Sequence, residues 1–501
     1  MIYFLALIKF ILPYLLQNKC YQLHRDELLY LADGQHLSWG FMEMPPLLSV
    51  FSFLSHMFGA NMFVVKLWPS LFGALTYILT SKIVVLLGGR YFAIFINFLA
   101  MTFGAFLSTH FLFQPNALEV LFATVIAYSA IRFIQTGNNI WLYVCGVAFG
   151  LGMLSKSSIA FFMFSISCSL LFSSQWRILQ NKHFYLAIFA GVLIFLPNLL
   201  WEYNHKFPVL YHLYELQQEQ LARIKPVDFL KGQIILNLPA FFIWIAGLLF
   251  VLLDRRGKSY RLFFWAFCIL MLILLLLHGK DYYGLVIYPV LFAFGSFYLE
   301  SLTIQKIYVR IAMIVIILCL SIVDLPMELP ILAPPQLARF YKKYHYERFD
   351  ILQWEDGKDH SLKQDFADML GWQEIAQKTT AAFKSLPFGE KEKTLIYCSN
   401  YGICGAVNYY APKESIPEPY SDNASFLIWM PKKMNFQNVL FIGHSFPAGW
   451  ESGFSEIKIL DQLNSSARES GLQIVLFKNA SNECKRLFEK KISDKKNKFS
   501  F

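Results

Sequence analysis

Residues 24–48 read HRDELLYLADGQHLSWGFMEMPPLL, a polar stretch that follows an apolar segment at residues 2–18. Asp26 and Glu27 stand side by side in it, and Glu43 comes just before a Met-Pro-Pro sequence. Carboxylates at a membrane surface lose hydration, so they mark either a functional site or a solvated rim. Taken alone, the stretch is equally consistent with an exposed loop that carries ordinary charges.

The composition indicates a polytopic membrane protein. Of the 501 residues, 56% are hydrophobic and only 16% are charged, which is too apolar for a soluble chain of this length. A bilayer span needs roughly 20 apolar residues. Residues 2–18 lack a small-residue cleavage pattern, so we expect a retained span rather than a signal peptide. About eleven spans are predicted, at 2–18, 62–80, 91–110, 118–135, 141–154, 158–173, 184–200, 234–253, 262–278, 283–299 and 308–324.

Basic residues predict the orientation of these spans, because cytoplasmic loops are enriched in Lys and Arg. With a cytoplasmic N-terminus, an odd number of spans places the C-terminal part outside. The net charge of +10 then reflects the inner loops and a Lys-rich C-terminus, and it is no argument for nucleic-acid binding. The basic residues on the inner loops are Lys82, Arg90, Arg132, Arg177, Lys182, Arg255, Arg256, Lys258, Arg261, Lys306 and Arg310.

The composition changes near residue 325, which predicts two domains. Residues 1–325 form a transmembrane domain with a functional first outer loop at 19–61, and residues 326–501 form a soluble α/β domain. Prolines at 326, 330, 334 and 335 indicate a linker. One disulfide is permitted outside the cytoplasm among Cys398, Cys404 and Cys484. Strands are predicted at 395–397, 426–429, 439–442 and 474–477, and helices at 363–385 and 402–410.

The polar stretch resembles the first extracytoplasmic loop of a bacterial glycosyltransferase family 39-like group, related to protein O-mannosyltransferases and lipid A aminoarabinose transferase. The matching features are the Asp-Glu pair and the later Trp-Gly-Phe and Pro-Pro-Leu runs. The resemblance implies an α-helical polytopic fold of GT-C type, with a C-terminal soluble α/β domain, in the bacterial inner membrane. Further segments that resemble the family are 150–156, 197–208, 278–289, 367–372 and 400–410.

This resemblance implies transfer of a hexosyl or pentosyl group from a polyprenyl-phosphate donor. The acceptor would be a protein, lipid A or another glycan of the envelope, reached from the periplasmic side. The expected partners are the donor, that acceptor and membrane lipid, with no nucleic acid. A transporter or flippase of lipid-linked precursors is the alternative, but transporters hold polar residues near the bilayer midplane. A plain anchor for the soluble domain would need only one span.

Such a transfer needs a carboxylate that deprotonates the acceptor, and Asp26 is the leading candidate. Glu27 would position Asp26 or its surroundings. Glu119 is the third candidate catalytic residue, since an acid one turn into an apolar helix is costly. Its alternative role is a helix N-terminal acid favoured by the dipole, with Asn116 as the N-cap. Relatives carry Asp more often than Glu at the position of Glu119.

The leaving phosphate must be stabilised by cations or by a metal. Lys156, in the Gly-Leu-x-x-Leu-x-Lys run, is the leading phosphate-binding residue, although a snorkelling lysine at a helix end is common. Lys280, Tyr283 and His205 are further substrate-binding candidates in outer loops. Either Lys280 or His205 could contact phosphate, although such a residue alone is more often a solvated rim residue.

One departure from the family pattern bears on the phosphate. Met44 stands where some relatives carry a Lys or His that can contact phosphate, while the acid before it, Glu43, is present. Phosphate contact then falls to other cations, or to a divalent metal held by Glu43 with His205 or His278. No other cofactor is expected.

Overall fold

The computed structural model describes residues 1–219, 224–349, 351–412, 414–447, 449–464 and 467–501. Up to residue 328 the described part of the chain is helical. In chain order, its α-helices are α1 (Ile2–Leu16), α2 (Arg25–Gln35), α3 (Leu47–Met57), α4 (Met62–Leu86), α5 (Tyr91–Thr102), α6 (Ala105–Thr109), α7 (Pro115–Thr136), α8 (Ile140–Ser155), α9 (Ile159–Ser169), α10 (Lys182–Asn204), α11 (Pro208–Glu219), α12 (Pro226–Ile235), α13 (Phe241–Leu253), α14 (Leu262–Leu276), α15 (Tyr288–Leu302) and α16 (Ile307–Glu328).

Fewer of these helices span a membrane by length and composition than the sequence predicts. Among the described residues, five pass that test, and a sixth does if α12 and α13, bent by 69°, form one broken span. The predicted spans at 2–18, 91–110, 141–154, 158–173 and 262–278 are apolar helices of 10–17 residues. The chain is therefore a multi-pass helical membrane protein, and its described residues contain five or six candidate spans by length and composition where the sequence predicts about eleven. The five are Met62–Leu86, Pro115–Thr136, Lys182–Asn204, Asp281–Leu302 and Ile307–Glu328.

Local backbone geometry explains two of the shorter helices. The predicted span at 91–110 divides because Gly104 adopts a φ of +71°, a conformation that glycine takes at low cost, and α6 starts afresh after it. Lys156 has an extended backbone, with φ of −160° and ψ of 128°, so α8 ends at Ser155 and α9 begins only at Ile159.

The C-terminal part combines helices with a four-stranded mixed sheet. The strand order is β1-β2-β4-β3, with β1 parallel to β2 and the other pairs antiparallel. The remaining α-helices and strands in the described residues are α17 (Pro334–Lys343), α18 (Gln364–Ala367), α19 (Trp372–Lys384), α20 (Phe388–Lys391), β1 (Thr394–Cys398), α21 (Tyr401–Tyr410), α22 (Phe426–Trp429), β2 (Asn438–Gly443), α23 (Trp450–Gly453), β3 (Phe454–Gln462), β4 (Gln473–Ala480) and α24 (Asn482–Lys498).

Three of the four predicted strands are confirmed, as β1, β2 and β4. The run at 426–429 is a single helical turn, in which the rings of Phe426 and Trp429 contact each other and Trp429 stacks on His36. Strand β3 is absent from the prediction because it is an edge strand whose residues are largely exposed, so it lacks an apolar run. Gly371, with φ of +85°, separates α18 and α19 within the predicted helix at 363–385.

The expected proline linker and the permitted disulfide are both absent from the described residues of this part. Pro326 lies inside α16, which continues to Glu328, and Pro334 begins α17, so neither residue belongs to an irregular linker. Cys398, Cys404 and Cys484 are free thiols.

Helix α2 packs against the C-terminal part and shares a hydrophobic core with it. Leu28 and Leu31 belong to the same buried cluster as Ile403 and Val407 of α21. A Cβ atom on Gly405 would lie 3.0 Å from Leu28 Cβ, so the two helices approach closely. Helix α2 is therefore packed closely against α21 of the C-terminal part.

Candidate active site

The candidate site is built around the first turn of α2. His24 is the N-cap: its Nδ1 accepts a hydrogen bond from the Asp26 backbone N–H at 3.2 Å. The Glu27 side chain accepts in turn from the His24 backbone N–H at 2.8 Å, which completes a capping box. These hydrogen bonds start the helix at Arg25 and fix the direction in which the Asp26 side chain points away from the helix.

Asp26 keeps a partly exposed carboxylate with two defined donors. The Tyr401 hydroxyl donates to Asp26 Oδ1 at 2.8 Å, and the Gln114 side-chain amide donates to Oδ2 at 3.3 Å. The Asp26 side chain is 29% exposed, whereas that of its neighbour Glu27 is completely buried. Asp26 is thus oriented but still accessible, as a group that removes a proton from a substrate must be.

Glu27 has no such access. Lys66 Nζ lies 2.6 Å from Glu27 Oε1 and 2.7 Å from Oε2, and the backbone N–H groups of His24 and Phe113 donate to the same carboxylate. Lys66 itself is fully buried. These contacts tie α2 to α4 and to the segment before α7, so they fit the positioning role predicted for Glu27 and leave no room for a substrate.

A chain of polar contacts links Asp26 to Glu119 and Lys156. Gln114, which donates to Asp26, accepts from the Asn116 amide at 3.4 Å, and Asn116 Oδ1 accepts from Lys156 Nζ at 2.6 Å. Lys156 also pairs with Glu119 Oε2 at 3.3 Å. The N-cap of α7 is Gln114, because Pro115 occupies the first helical position, so the expectation that Asn116 caps the helix is wrong.

Lys156 is held in place rather than snorkelling into solvent. Its ammonium lies 4.6 Å from the Tyr283 ring centroid and 5.0 Å from that of Tyr282, in addition to its contacts with Asn116 and Glu119. Its side chain is 17% exposed. Three candidates from separate parts of the sequence, Glu119, Lys156 and Tyr283, therefore meet at one place.

A second cationic group adjoins this place from the C-terminal part. Lys363 Nζ lies 3.0 Å from Asp365 Oδ2. Burial raises the pKa of Asp365, but the nearby charges of Lys363 and Lys280 and the Lys363 hydrogen bond act against burial, and the resulting pKa is below the usual value. Lys280 is thus close enough to act electrostatically on the groups beside His24, although no hydrogen bond joins it to Asp26.

Two buried carboxyl groups lie toward the other end of α2. Asp33 is fully buried, and neither of its carboxyl oxygens has a hydrogen-bond partner among the described residues. Glu43 Oε2 accepts from the Ser425 hydroxyl at 2.8 Å, while the described residues offer no partner to Oε1. Burial, with the charge of Glu43, raises the pKa of Asp33 well above its usual value, and burial raises the pKa of Glu43 to about 7.

The described residues contain no group of three His, Cys, Asp or Glu side chains that could hold a metal ion. His205 Nδ1 lies 2.7 Å from the Trp201 carbonyl oxygen of its own helix, and its ring packs 5.1 Å from Phe501. His278 Nδ1 lies 3.0 Å from the Ile224 carbonyl oxygen. Neither histidine shares a contact with Glu43, so the geometry lends no support to the predicted metal.

Three other residues bear on the site, and two of them are absent from the sequence-based candidates. Met44 is buried in the hydrophobic core beside α2. It stands where some relatives carry a phosphate-binding cation, and its burial agrees with an apolar side chain at that position. Gln114 precedes a proline that begins a helix, a pattern that could have identified it as the N-cap of α7. No local sequence pattern identifies Tyr401 as a partner of Asp26, because the two residues lie 375 positions apart in the chain.

Comparisons with known proteins agree with this architecture. Residues 43–201 match the family model described as dolichyl-phosphate-mannose-protein mannosyltransferase. No curated protein matches the chain in sequence. ArnT from Cupriavidus metallidurans bound to undecaprenyl phosphate is similar in structure, with a TM-score of 0.61 and 15% identity over 94% of this chain and 96% of that one. Apo ArnT from the same organism gives a TM-score of 0.62 with 14% identity over the same shares.

At these identities the structural likeness establishes a shared fold, of the GT-C type, over nearly the whole chain. The family match covers the end of the first polar loop, Glu119 and Lys156. Residues 43–201 of this multi-pass helical chain are therefore similar to the dolichyl-phosphate-mannose-protein mannosyltransferase family.

Proposed function

We propose that the protein transfers a sugar from a polyprenyl-phosphate donor to an acceptor in the bacterial cell envelope. The observation that carries this proposal is the chain of contacts from Asp26 through Gln114 and Asn116 to Lys156. It joins an accessible carboxylate to a fixed ammonium group, the two functions that the reaction requires. The ArnT structure with undecaprenyl phosphate supports a donor of the polyprenyl-phosphate class.

In the proposed reaction Asp26 removes the proton of an acceptor hydroxyl or amine while the acceptor atom forms a bond to the anomeric carbon of the donor sugar. The bond between that carbon and the phosphate oxygen breaks, and its electron pair leaves with the phosphate. The products are the glycosylated acceptor and polyprenyl phosphate, and the proton on Asp26 is later released to solvent. Holding Asp26 by two donors favours this step, because a fixed base needs little reorganisation.

The proposed role of Lys156 is to offset the charge that develops on the leaving phosphate. A cation in a poorly solvated groove interacts strongly with phosphate. Glu119 would form an ion pair with Lys156 and hold its ammonium group in place. Its proposed role is therefore positioning rather than proton transfer. Tyr283 would add a ring against the ammonium, and Lys280 would supply further positive charge at the entrance.

We further propose that this site and the domain at 326–501 lie in the periplasm. The basic residues of the opposite loops support that orientation. A reporter that is active only in the periplasm, fused after Lys432, should be active. Activity of a cytoplasm-only reporter at that position would contradict the orientation and place the site on the wrong side for an envelope acceptor.

Transfer itself can be tested with the purified full-length protein in detergent. We expect release of polyprenyl phosphate when one of a panel of polyprenyl-phosphate hexoses and pentoses is mixed with an extract of envelope acceptors. Mass spectrometry of envelope glycans from a deletion strain and its parent would identify the acceptor. Absence of release with every donor of this class, from protein that retains its fold, would contradict the proposal.

A further inference from the structure

Contacts on both the backbone and the ring hold Tyr401 in place. It is the first residue of α21, whose N-cap Asn400 accepts from the Ile403 backbone N–H at 3.0 Å. The Tyr401 backbone N–H donates to Asn423 Oδ1 at 3.1 Å, and the Arg25 guanidinium lies 4.5 Å from the centre of its ring. With backbone and ring both held, the phenol hydroxyl has one defined position.

That position is against Asp26. Burial and the Asp26 charge raise the pKa of Tyr401 well above its usual value, so the phenol keeps its proton and donates it to Oδ1 at 2.8 Å. A hydrogen bond from a neutral donor to a carboxylate is stronger than one between neutral groups. Tyr401 therefore holds one oxygen of Asp26 more tightly than Gln114, at 3.3 Å, holds the other.

The other oxygen is left for the substrate. His24 Nδ1 lies 3.7 Å from Asp26 Oδ2, but it already accepts from the Asp26 backbone N–H, so this nitrogen carries no proton to donate. Only the long contact from Gln114 occupies Oδ2 among the described residues. An acceptor hydroxyl can displace a weak amide contact far more easily than the short phenol bond.

We infer that Tyr401 is a positioning residue, supplied by the C-terminal domain, which binds Asp26 Oδ1 so that Oδ2 receives the acceptor's proton. The inference rests on the proposed role of Asp26 as the base. It makes the C-terminal domain a structural part of the catalytic centre rather than an appendage. The backbone pairings of Gln22 with Met369 and of Arg25 with Asp368, at 2.8 and 3.0 Å, fix the two parts in the required register.

Tyr401→Phe tests this inference, since it removes the hydroxyl and keeps the ring that contacts Arg25. We expect kcat at neutral pH to fall by about tenfold, the effect of losing one hydrogen bond to a charged group, while the donor KM stays within about twofold. The acidic limb of the pH–rate profile should move to higher pH, because a carboxylate that loses a donor is protonated more easily. The other charged or titratable groups around Asp26, which the substitution leaves in place, are His24, Arg25, Tyr30, Glu43, Tyr282 and Asp368.

Tyr409→Phe is the matched control, because Tyr409 lies on the same helix and its hydroxyl donates to the Ala60 carbonyl oxygen at 2.6 Å. It should change neither kcat nor the pH profile. Replacement of Tyr401 by a ring-fluorinated tyrosine retains the fold and strengthens the donor, so it should shift the acidic limb to lower pH. An acidic limb that does not move in either Tyr401 variant would overturn the inference, and this outcome is distinct from failure of the proposed base, which Asp26→Asn measures separately.

Discussion

Two pairs of carboxyl groups lie near opposite ends of α2, and their surroundings differ. Asp26 and Glu27 lie in the first turn of the helix, whereas Asp33 lies near its C-terminal end and Glu43 follows the helix in sequence. At the N-terminal end, Glu27 is enclosed by an ammonium group and two backbone donors, and Asp26 receives two side-chain donors. Toward the C-terminal end, Asp33 has no hydrogen-bond partner among the described residues, and Glu43 has a partner on one oxygen only.

The difference shows which acids can stay ionised. A buried carboxylate needs a countercharge or several donors to compensate for lost hydration, and otherwise it takes up a proton. Glu27 has that compensation, whereas the pKa of Asp33 is raised well above its usual value by burial and by Glu43. The carboxyl groups at the N-terminal end are therefore compensated by donors, whereas burial raises the pKa of both Asp33 and Glu43 near the other end.

The largest effect on stability should follow from breaking the enclosed pair. Lys66→Met leaves Glu27 buried without its cation, which typically costs about 3–5 kcal/mol. Asp33→Asn removes a carboxyl group that has no partner in the described structure. The melting temperature of this variant at pH 8 should therefore equal or exceed that of the parent protein. Thermal unfolding in detergent measures both variants. Equal destabilisation by the two substitutions would remove the distinction between the ends of α2.

The next effect concerns donor use by Lys156. Lys156→Ala should lower kcat/KM for a short-chain polyprenyl-phosphate sugar by roughly 10- to 100-fold, as expected for a charge-assisted contact. Lys156→Arg should restore part of the activity. Lys280→Ala serves as the comparison and should have a smaller effect, because Lys280 is not joined to Asp26 by the contact chain. Kinetic constants within about twofold of the parent for Lys156→Ala would show a rim lysine and shift the role to Lys280.

The smallest effect is on the pH dependence of stability. In the folded protein burial raises the pKa of Glu43 from 4.5 to about 7, so the folded state binds more protons than the unfolded state between these values. Stability should therefore fall as pH rises from about 4.5 to 7, and Glu43→Gln should remove this component. Melting temperatures measured across that range provide the test.

Asp422→Asn is the control for that measurement. Burial works against ionisation of Asp422, but Lys495 and Lys491 outweigh it and lower its pKa to about 2. The stabilisation from Asp422 is thus fully present above about 3.8 and is lost only as pH falls toward 2. Asp422→Asn should destabilise the protein equally at pH 5 and pH 7, so a slope that disappears in this variant as well would contradict the assignment to Glu43.

The sequence predicts the membrane class and a C-terminal part with helices and strands, and it names candidate residues that the structure brings close together. Asp26, Glu119 and Lys156 are recognisable because charged groups beside apolar segments are costly and resemble the family's pattern. The number of spans is less accurately predicted, since a local break such as Gly104 divides an apolar run without changing its hydropathy. Tyr401 and the pair formed by Asp33 and Glu43 depend on contacts between distant segments, which spacing along one sequence does not reveal.

The most direct test of the proposed base is sugar transfer by purified Asp26→Asn protein. It is assayed beside the parent protein with the same polyprenyl-phosphate donor and the same acceptor. Asn is nearly isosteric and can still accept from Tyr401, so the variant should fold and elute as the parent does. We predict a loss of about 10²- to 10⁴-fold in kcat, the usual effect of removing a general base. Near-parental transfer by the folded variant would show that Asp26 is not the base of this glycosyltransferase.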